Sequence, residues 1–266
     1  MSAAPFRPPA TPVQVRAVGL DRPWHWLKAG LLDLIHAPLP GLLHGALAAL
    51  FGGVLLWWAH DRFWLIAGTF SGFLVMAPLL ATGLYAVSRA RERGRPASLG
   101  IALRAWNPRR ARLVGFGLLL ALAGTGWVLT SAALITSFAP APVRGPMDFV
   151  RHVLLAPSSW LFEAWLLLGG VLAAPVFASS VLAIPLLLDR DVTIRDAVLA
   201  SWRAVLESPV ALALWAVLIL VLTAIGMATA LTGLVVILPW LAHASWHAYR
   251  DLAAPAADPA PPASAS

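Results

Sequence analysis

The stretch "GLLHGALAALFGGVLLWWA", residues 41–59, carries no Asp, Glu, Lys or Arg. A helix rises 1.5 Å per residue, so about 20 apolar residues cross the roughly 30 Å of bilayer hydrocarbon, where every backbone N–H and C=O must be satisfied internally. Such a stretch constrains the chain to helices more than any other feature. Five more follow, at about 63–87, 113–137, 160–188, 210–227 and 230–248, and Glu163 is the only Asp, Glu, Lys or Arg among them. With 60% hydrophobic and 12% charged residues, the chain carries far more apolar surface than a water-facing domain of 266 residues can hide.

The expected fold class is therefore all-α integral membrane. Residues 209–247 would reach nearly twice the hydrocarbon thickness as one helix, so two spans joined by a tight turn within "GMATALTG" (226–233) fit better than one; a re-entrant pair is the other arrangement. Residues 1–20 and the Pro/Ala-rich 253–266 read as disordered tails flanking a transmembrane domain at 21–252.

Charge sets the orientation. Of the 19 basic residues all but Lys28 are arginine. Arg7, Arg16, Arg22 and Lys28, then Arg89, Arg91, Arg93, Arg95, Arg104, Arg109, Arg110 and Arg112, then Arg190, Arg195, Arg203 and Arg250 fall on one side of a six-span arrangement. Only Arg62, Arg144 and Arg151 fall opposite. The positive-inside rule makes the majority side cytoplasmic and places both termini there. Trp57, Trp58, Trp64 and Trp160 mark the outer boundary, and Trp24, Trp26, Trp240 and Trp246 the inner one. A pI near 11.3 would point to nucleic acid in a soluble chain, but no nucleic-acid motif accompanies it, and none is expected as a partner. With no cysteine, disulfides, zinc–thiolate sites and iron–sulfur clusters are excluded.

The charged island "DRDVTIRDAVLASWRAVLESP" (189–209) reads as a short helix capped by Thr193 with Asp196. Ile194, Val198, Trp202 and Val205 form its apolar stripe, and Pro209 opens the next span. Trp24, Leu27, Leu31 and Leu34 ahead of Pro38, and Leu99, Leu103 and Trp106 behind Ser98 and ahead of Pro108, repeat the pattern. The bundle is thus expected as three helical pairs, each preceded by a cytoplasmic interfacial amphipathic helix, with Pro78, Pro175 and Pro239 in the second spans. Arg89, Arg91, Arg93, Arg95, Arg109, Arg110, Arg112, Trp106 and Trp202 are the expected contacts to anionic phospholipid headgroups.

Several side chains bear on chemistry. Asp189, Asp191 and Asp196 alternate with Arg190 and Arg195 and read as a solvated, self-neutralising loop rather than a cation site. His243 and His247 stand one helical turn apart, and His44 enters the first span from the same side, so the three could converge as haem or metal ligands. Interfacial histidines bonded to headgroups or backbone are the commoner case, and no cofactor or catalytic residue is expected. Glu163 sits one turn inside the outer boundary, where a carboxylate reaches interfacial water. Glycine pairs at 52/53, 68/72, 115/117, 124/126 and 169/170 supply faces for close helix packing. Thr69, Ser71, Thr125, Ser179 and Ser180 are the few midplane polar groups that a small-solute transporter could use.

"PLLLDRDVTIRDAVLASWRAVLESP", "WAVLILVLTAIGMATALTGLVVILPWLAHASWHAYRDL" and "MAPLLATGLYAVSRARERG" together resemble a family of bacterial predicted integral membrane proteins whose domain has no established function. Some members of that family bear the label putative cytochrome c oxidase subunit I. The resemblance covers most of residues 24–252. It implies a multi-span protein of the bacterial inner membrane, with no settled activity. A non-enzymatic structural or interaction component follows as the expected role, joined to a membrane-protein partner or a second copy. A haem- or metal-binding respiratory subunit and a transporter are the alternatives.

Overall fold

The computed structural model describes residues 13–59, 62–105, 111–156 and 160–253. The helices are α1 (Arg22–His36), α2 (Pro38–Trp58), α3 (Phe63–Leu80), α4 (Thr82–Glu92), α5 (Leu99–Arg104), α6 (Ala111–Phe138), α7 (Pro146–Phe149, running into a π-turn at Val150–Leu154), α8 (Leu161–Ser180), α9 (Ala183–Asp189), α10 (Ile194–Glu207), α11 (Pro209–Ala228) and α12 (Leu234–Leu252). Among the described residues the only β pairing is an isolated bridge between Val15 and Ala253.

Among the described residues, four stretches are long and apolar enough to cross a membrane: Pro38–Trp58, Ala111–Phe138, Leu161–Asp189 and Pro209–Ala228. Their outer faces expose Leu47, Phe51, Leu122, Leu129, Leu167 and Leu220, side chains that only lipid would solvate. Pro38 and Pro209 stand in the first turns of α2 and α11, where a missing N–H costs nothing. The second members differ among themselves. The expected span at 63–87 is divided at Ala81 between α3 and α4, and α8 gives way to α9 after Ser180, whereas α12 runs through Pro239 unbroken.

Residues 226–233 form the expected turn. Ala230 and Leu231 take positive φ angles of 50° and 69°, and Thr229 Oγ1 accepts from the Gly233 N–H at 2.8 Å while donating to the Gly226 carbonyl at 2.8 Å. Left-handed backbone at non-glycine residues costs on the order of 1 kcal/mol each. Burial of Leu231 offsets this: its Cδ1 lies 2.7 Å from where a Cβ on Gly52 would stand, so glycine is what lets it seat against α2.

Sequence neighbours are not the main packing partners. α2 packs chiefly on α12, and α3 on α6. Glycine placement is the reason. A Cβ on Gly45 would stand 2.7 Å from Val235 Cα, and one on Gly30 would stand 2.7 Å from Ala244 Cα, so α2 and α1 reach the α12 backbone itself. Gly68 of α3 instead meets Val128 of α6. As a result α12 sits among α1, α2, α4, α9 and α11. Around it at the arginine-rich end lies the main core, with Trp26, Leu182, Ile184, Leu212, Trp215, Trp246, Tyr249 and Leu252 almost wholly enclosed. At the other end a smaller cluster of Ile135, Val143, Val153 and Leu161 is ringed by Phe63, Trp64, Phe149 and Trp165.

Residues 13–18, expected as tail, are packed onto this core. Val13 is buried, the Arg16 N–H donates to the Leu252 carbonyl at 2.8 Å, and the Val18 N–H donates to Ser208 Oγ at 2.9 Å. The strand-like segment supplies the free end of α12 with a backbone partner it would otherwise lack.

Candidate functional site: a buried acid–histidine cluster

α1 turns Trp26, Leu27, Gly30 and Leu34 inward, and the same face carries Asp33. Only 7% of Asp33 is exposed. An unpaired carboxylate there would cost several kcal/mol, so its donors decide whether the helix can dock. Arg91 Nε donates to Oδ1 at 2.8 Å. Ser88 Oγ donates to Oδ2 at 2.6 Å, and His247 Nε2 reaches the same oxygen at 2.9 Å. Burial pushes the carboxyl upward, but hydrogen bonds from His247, Ser88 and Arg91 outweigh it and hold Asp33 down at about 2. Behind Ser88, the ring of fully buried His243 places Nδ1 2.7 Å from Ser88 Oγ. Among the described residues His243 Nε2 has no hydrogen-bond partner, and a Cβ on Gly41 would stand 3.7 Å from it.

Three further knots hold the helix ends beside this cluster. Asp189 accepts from Tyr249 Oη at 2.8 Å and pairs with Arg89 at 3.5 Å and Arg93 at 3.3 Å. Glu92 takes Arg250 at 2.7 Å and the Trp246 indole N–H at 3.2 Å. Asp251 takes Arg22 at 2.6 Å and the Trp26 indole N–H at 2.9 Å. α4 is the hub, since Ser88, Arg89, Arg91 and Glu92 on it and Arg93 at its C-cap reach α1, α9 and α12.

The histidine pair at 243 and 247 was legible from its spacing, and the structure brings both to Asp33 and Ser88. His44 stands near enough to His243 to act on it electrostatically, but its Nδ1 bonds the Pro40 carbonyl of its own helix at 2.7 Å. Among the described residues no group of three or more His, Asp or Glu side chains is arranged to hold a metal ion. Asp33 and Ser88 are what sequence reasoning missed. The available signal was a carboxylate interrupting an apolar helical face, with Ser88 and Arg91 three residues apart on another helix.

The charged island differs from its expected form. The Asp189 side chain is 8% exposed, so it is a buried anchor rather than part of a solvated loop, and Asp191 pairs with Arg112. Thr193 does cap α10: Oγ1 accepts from the Asp196 N–H at 3.1 Å and donates to the Asp196 carboxylate at 2.6 Å. The buried face of α10 is Ala197, Ala200, Ser201 and Ala204, while Ile194, Val198 and Val205 are half-buried at its flanks. Trp202 is 38% exposed and donates its indole N–H to Ser179 Oγ at 3.0 Å.

Of the other expected headgroup residues, Arg89, Arg91, Arg93 and Arg112 make the ion pairs given above. Arg95 is exposed, and Trp106, Arg109 and Arg110 lie outside the described residues. Glu163 is exposed in the first turn of α8, where a negative charge is favoured by the helix dipole. Thr69, Thr125 and Ser180 each donate to a carbonyl one turn back in their own helix. The Ser71 side chain lies outside what is described.

Four candidate spans with lipid-exposed faces, closed at one end by a paired arginine belt, define a multi-helix integral membrane protein. The family described as "Predicted integral membrane protein (DUF2189)" matches residues 46–189, and the chain belongs to it. No curated protein and no solved structure matches the chain. The family match ends at Asp189, so α1 and α12, which supply Asp33, His243 and His247, lie beyond it.

Proposed function

We propose that this chain is a non-enzymatic structural or interaction component of the bacterial inner membrane. It crosses six times, with α3/α4 and α12 as the additional spans and both termini in the cytoplasm. α1, α5 and α10 lie at the cytoplasmic surface as interfacial amphipathic helices against anionic phospholipid headgroups. One observation carries the reading: the outward faces of α1 and α10 mix exposed apolar and basic side chains. Trp24, Leu31 and Ile35 stand beside Lys28, and Leu199, Trp202 and Leu206 beside Arg195 and Arg203. That mixture suits the boundary between acyl chains and phosphates and neither phase alone. Leu103 with Arg104 gives α5 the same character. Arg95, Arg109, Arg110 and Trp106 extend the headgroup contact from the loop between the second and third spans. The arginines tied to acids at the same end, Arg89, Arg91, Arg93 and Arg112, are assigned to the same contact. A membrane-protein partner or a second copy of the chain would dock on the lipid-exposed faces.

The test is lipid retention. Purified protein in nanodiscs of mixed phosphatidylglycerol and phosphatidylcholine should co-purify with phosphatidylglycerol in preference. Arg95→Gln/Arg109→Gln/Arg110→Gln should weaken that preference severalfold, and added salt should screen it. Equal retention of both lipids by the unaltered protein would refute the headgroup assignment. A reporter fused after residue 253 that reads as external would refute the six-span topology.

A further inference from the structure

The hydrogen bonds around Asp33 fix where the protons sit. Asp33 is held as the carboxylate by Arg91, so it only accepts, and the single Ser88 hydroxyl proton is directed to Oδ2 at 2.6 Å. Ser88 Oγ must then accept at its other contact, so His243 carries its proton on Nδ1, 2.7 Å away. A neutral imidazole with Nδ1–H has a bare lone pair on Nε2. That lone pair is enclosed, has no partner among the described residues, and faces the side-chain-free surface of Gly41. A buried acceptor left unsatisfied costs roughly 1–3 kcal/mol.

We propose that Nε2 of His243 is a proton-binding site, with Ser88 and Asp33 as the relay that supplies its counter-charge. The step is simple: hydronium gives up a proton, an N–H bond forms at Nε2, water leaves, and no bond between heavy atoms breaks. The imidazolium keeps its Nδ1–H on Ser88, and the Asp33 carboxylate answers the new charge two hydrogen bonds away. The groups facing His243 are Asp33 from α1, His44 from α2, Arg91 from α4, and His247 one turn along α12. Glu92, Asp189 and Arg190 meet α12 further on, at Trp246, Arg250 and Tyr249. Asp33 is the single anion within the inner set. A small ion or solute would need further ligating atoms at Nε2, whereas a proton needs only the lone pair. The site stands independently of lipid binding, because none of its atoms belongs to the outward faces of α1, α5 or α10.

Nitrogen NMR of the full chain labelled with 15N-histidine in nanodiscs tests it, with His243→Gln giving the assignment. Should that variant fail to fold, single Gln variants at His25, His36, His44, His60, His152 and His247 assign the remaining signal by elimination. At neutral pH the His243 ring should be neutral, with the proton on Nδ1, and Nε2 should take up a second proton as the pH is lowered. Ser88→Ala should abolish the Nδ1–H preference. Asp33→Asn should weaken proton uptake about tenfold, moving it roughly one pH unit lower. An Nε2–H tautomer at neutral pH would overturn the proposal, as would an Nε2 that stays bare down to the pH at which the fold is lost.

Discussion

Asp33→Asn is the substitution that most directly probes the cluster. It keeps the side chain's size and removes its charge. The amide oxygen can still accept from Arg91, but its NH2 now faces the Ser88 hydroxyl and the His247 N–H, both donors toward the native carboxylate. Arg91 loses its counter-ion at 2.8 Å. Removing one partner of a buried pair costs about 3–5 kcal/mol. The Arg91 side chain keeps 28% of its surface exposed and can be partly resolvated, so the lower figure, about 3 kcal/mol, applies. For a chain of this size each kcal/mol lowers the melting temperature by about 2–4 °C, giving roughly 6–12 °C. Melting in detergent, followed by the near-UV signal of the buried tryptophans, reads this directly. Arg91→Gln and the double variant close a thermodynamic cycle, and the pair should show a coupling well above 0.5 kcal/mol. A melting temperature within about 2 °C of the native chain, or additive single effects, would show that the carboxylate is not the pin that holds α1 to α4 and α12.

The remaining predictions use the same stability measurement or a local one. Asp33 titrates near 2 in the folded chain, below its ordinary value of 3.8, so its contribution of about 2 kcal/mol is complete above pH 4 and fades as pH falls toward 2. Roughly half should be gone by pH 3, and the loss between pH 5 and pH 3 should be shallower in Asp33→Asn; identical acid profiles would contradict the assignment. Gly30→Val should cost at least 2 kcal/mol, because its Cβ would fall 2.8 Å from Ala244 Cβ and 2.7 Å from Ala244 Cα, whereas Gly126→Ala meets nothing within 4 Å and should be neutral or stabilising. Thr193→Ala should cost about 1 kcal/mol and raise amide exchange in the first turn of α10, with little change elsewhere. Uniform exchange along α10 in that variant would mean the cap is not what holds the helix end.

What could be read from the sequence follows from how far each interaction reaches along the chain. Four of the six expected spans were legible because twenty apolar residues are a local signal, as were the turn at 226–233 and the Thr193 cap. α10 shows where local reading fails. Its bulky residues suggested the stripe Ile194, Val198, Trp202 and Val205, yet the helix buries Ala197, Ala200, Ser201 and Ala204. Alanine and serine carry little hydrophobic signal, but they let the α10 backbone approach α8, α9 and α11, leaving the larger side chains for the flanks and the outer face. Acidic residues fail for a different reason. A sequence shows partners within one helical turn, so Asp189 beside Arg190 and Arg195 looked self-neutralised. The fold instead pairs Asp189 with Arg89, 100 residues away, and Asp33 with Arg91 and His247, 58 and 214 residues away. Surface acids can settle for water or a neighbour, but acids at the 8–9% side-chain exposure of Asp189 and Asp33 cannot. Their positions therefore select the helix arrangement: α1, α4, α9 and α12 must assemble around them, or the carboxylates have no donors.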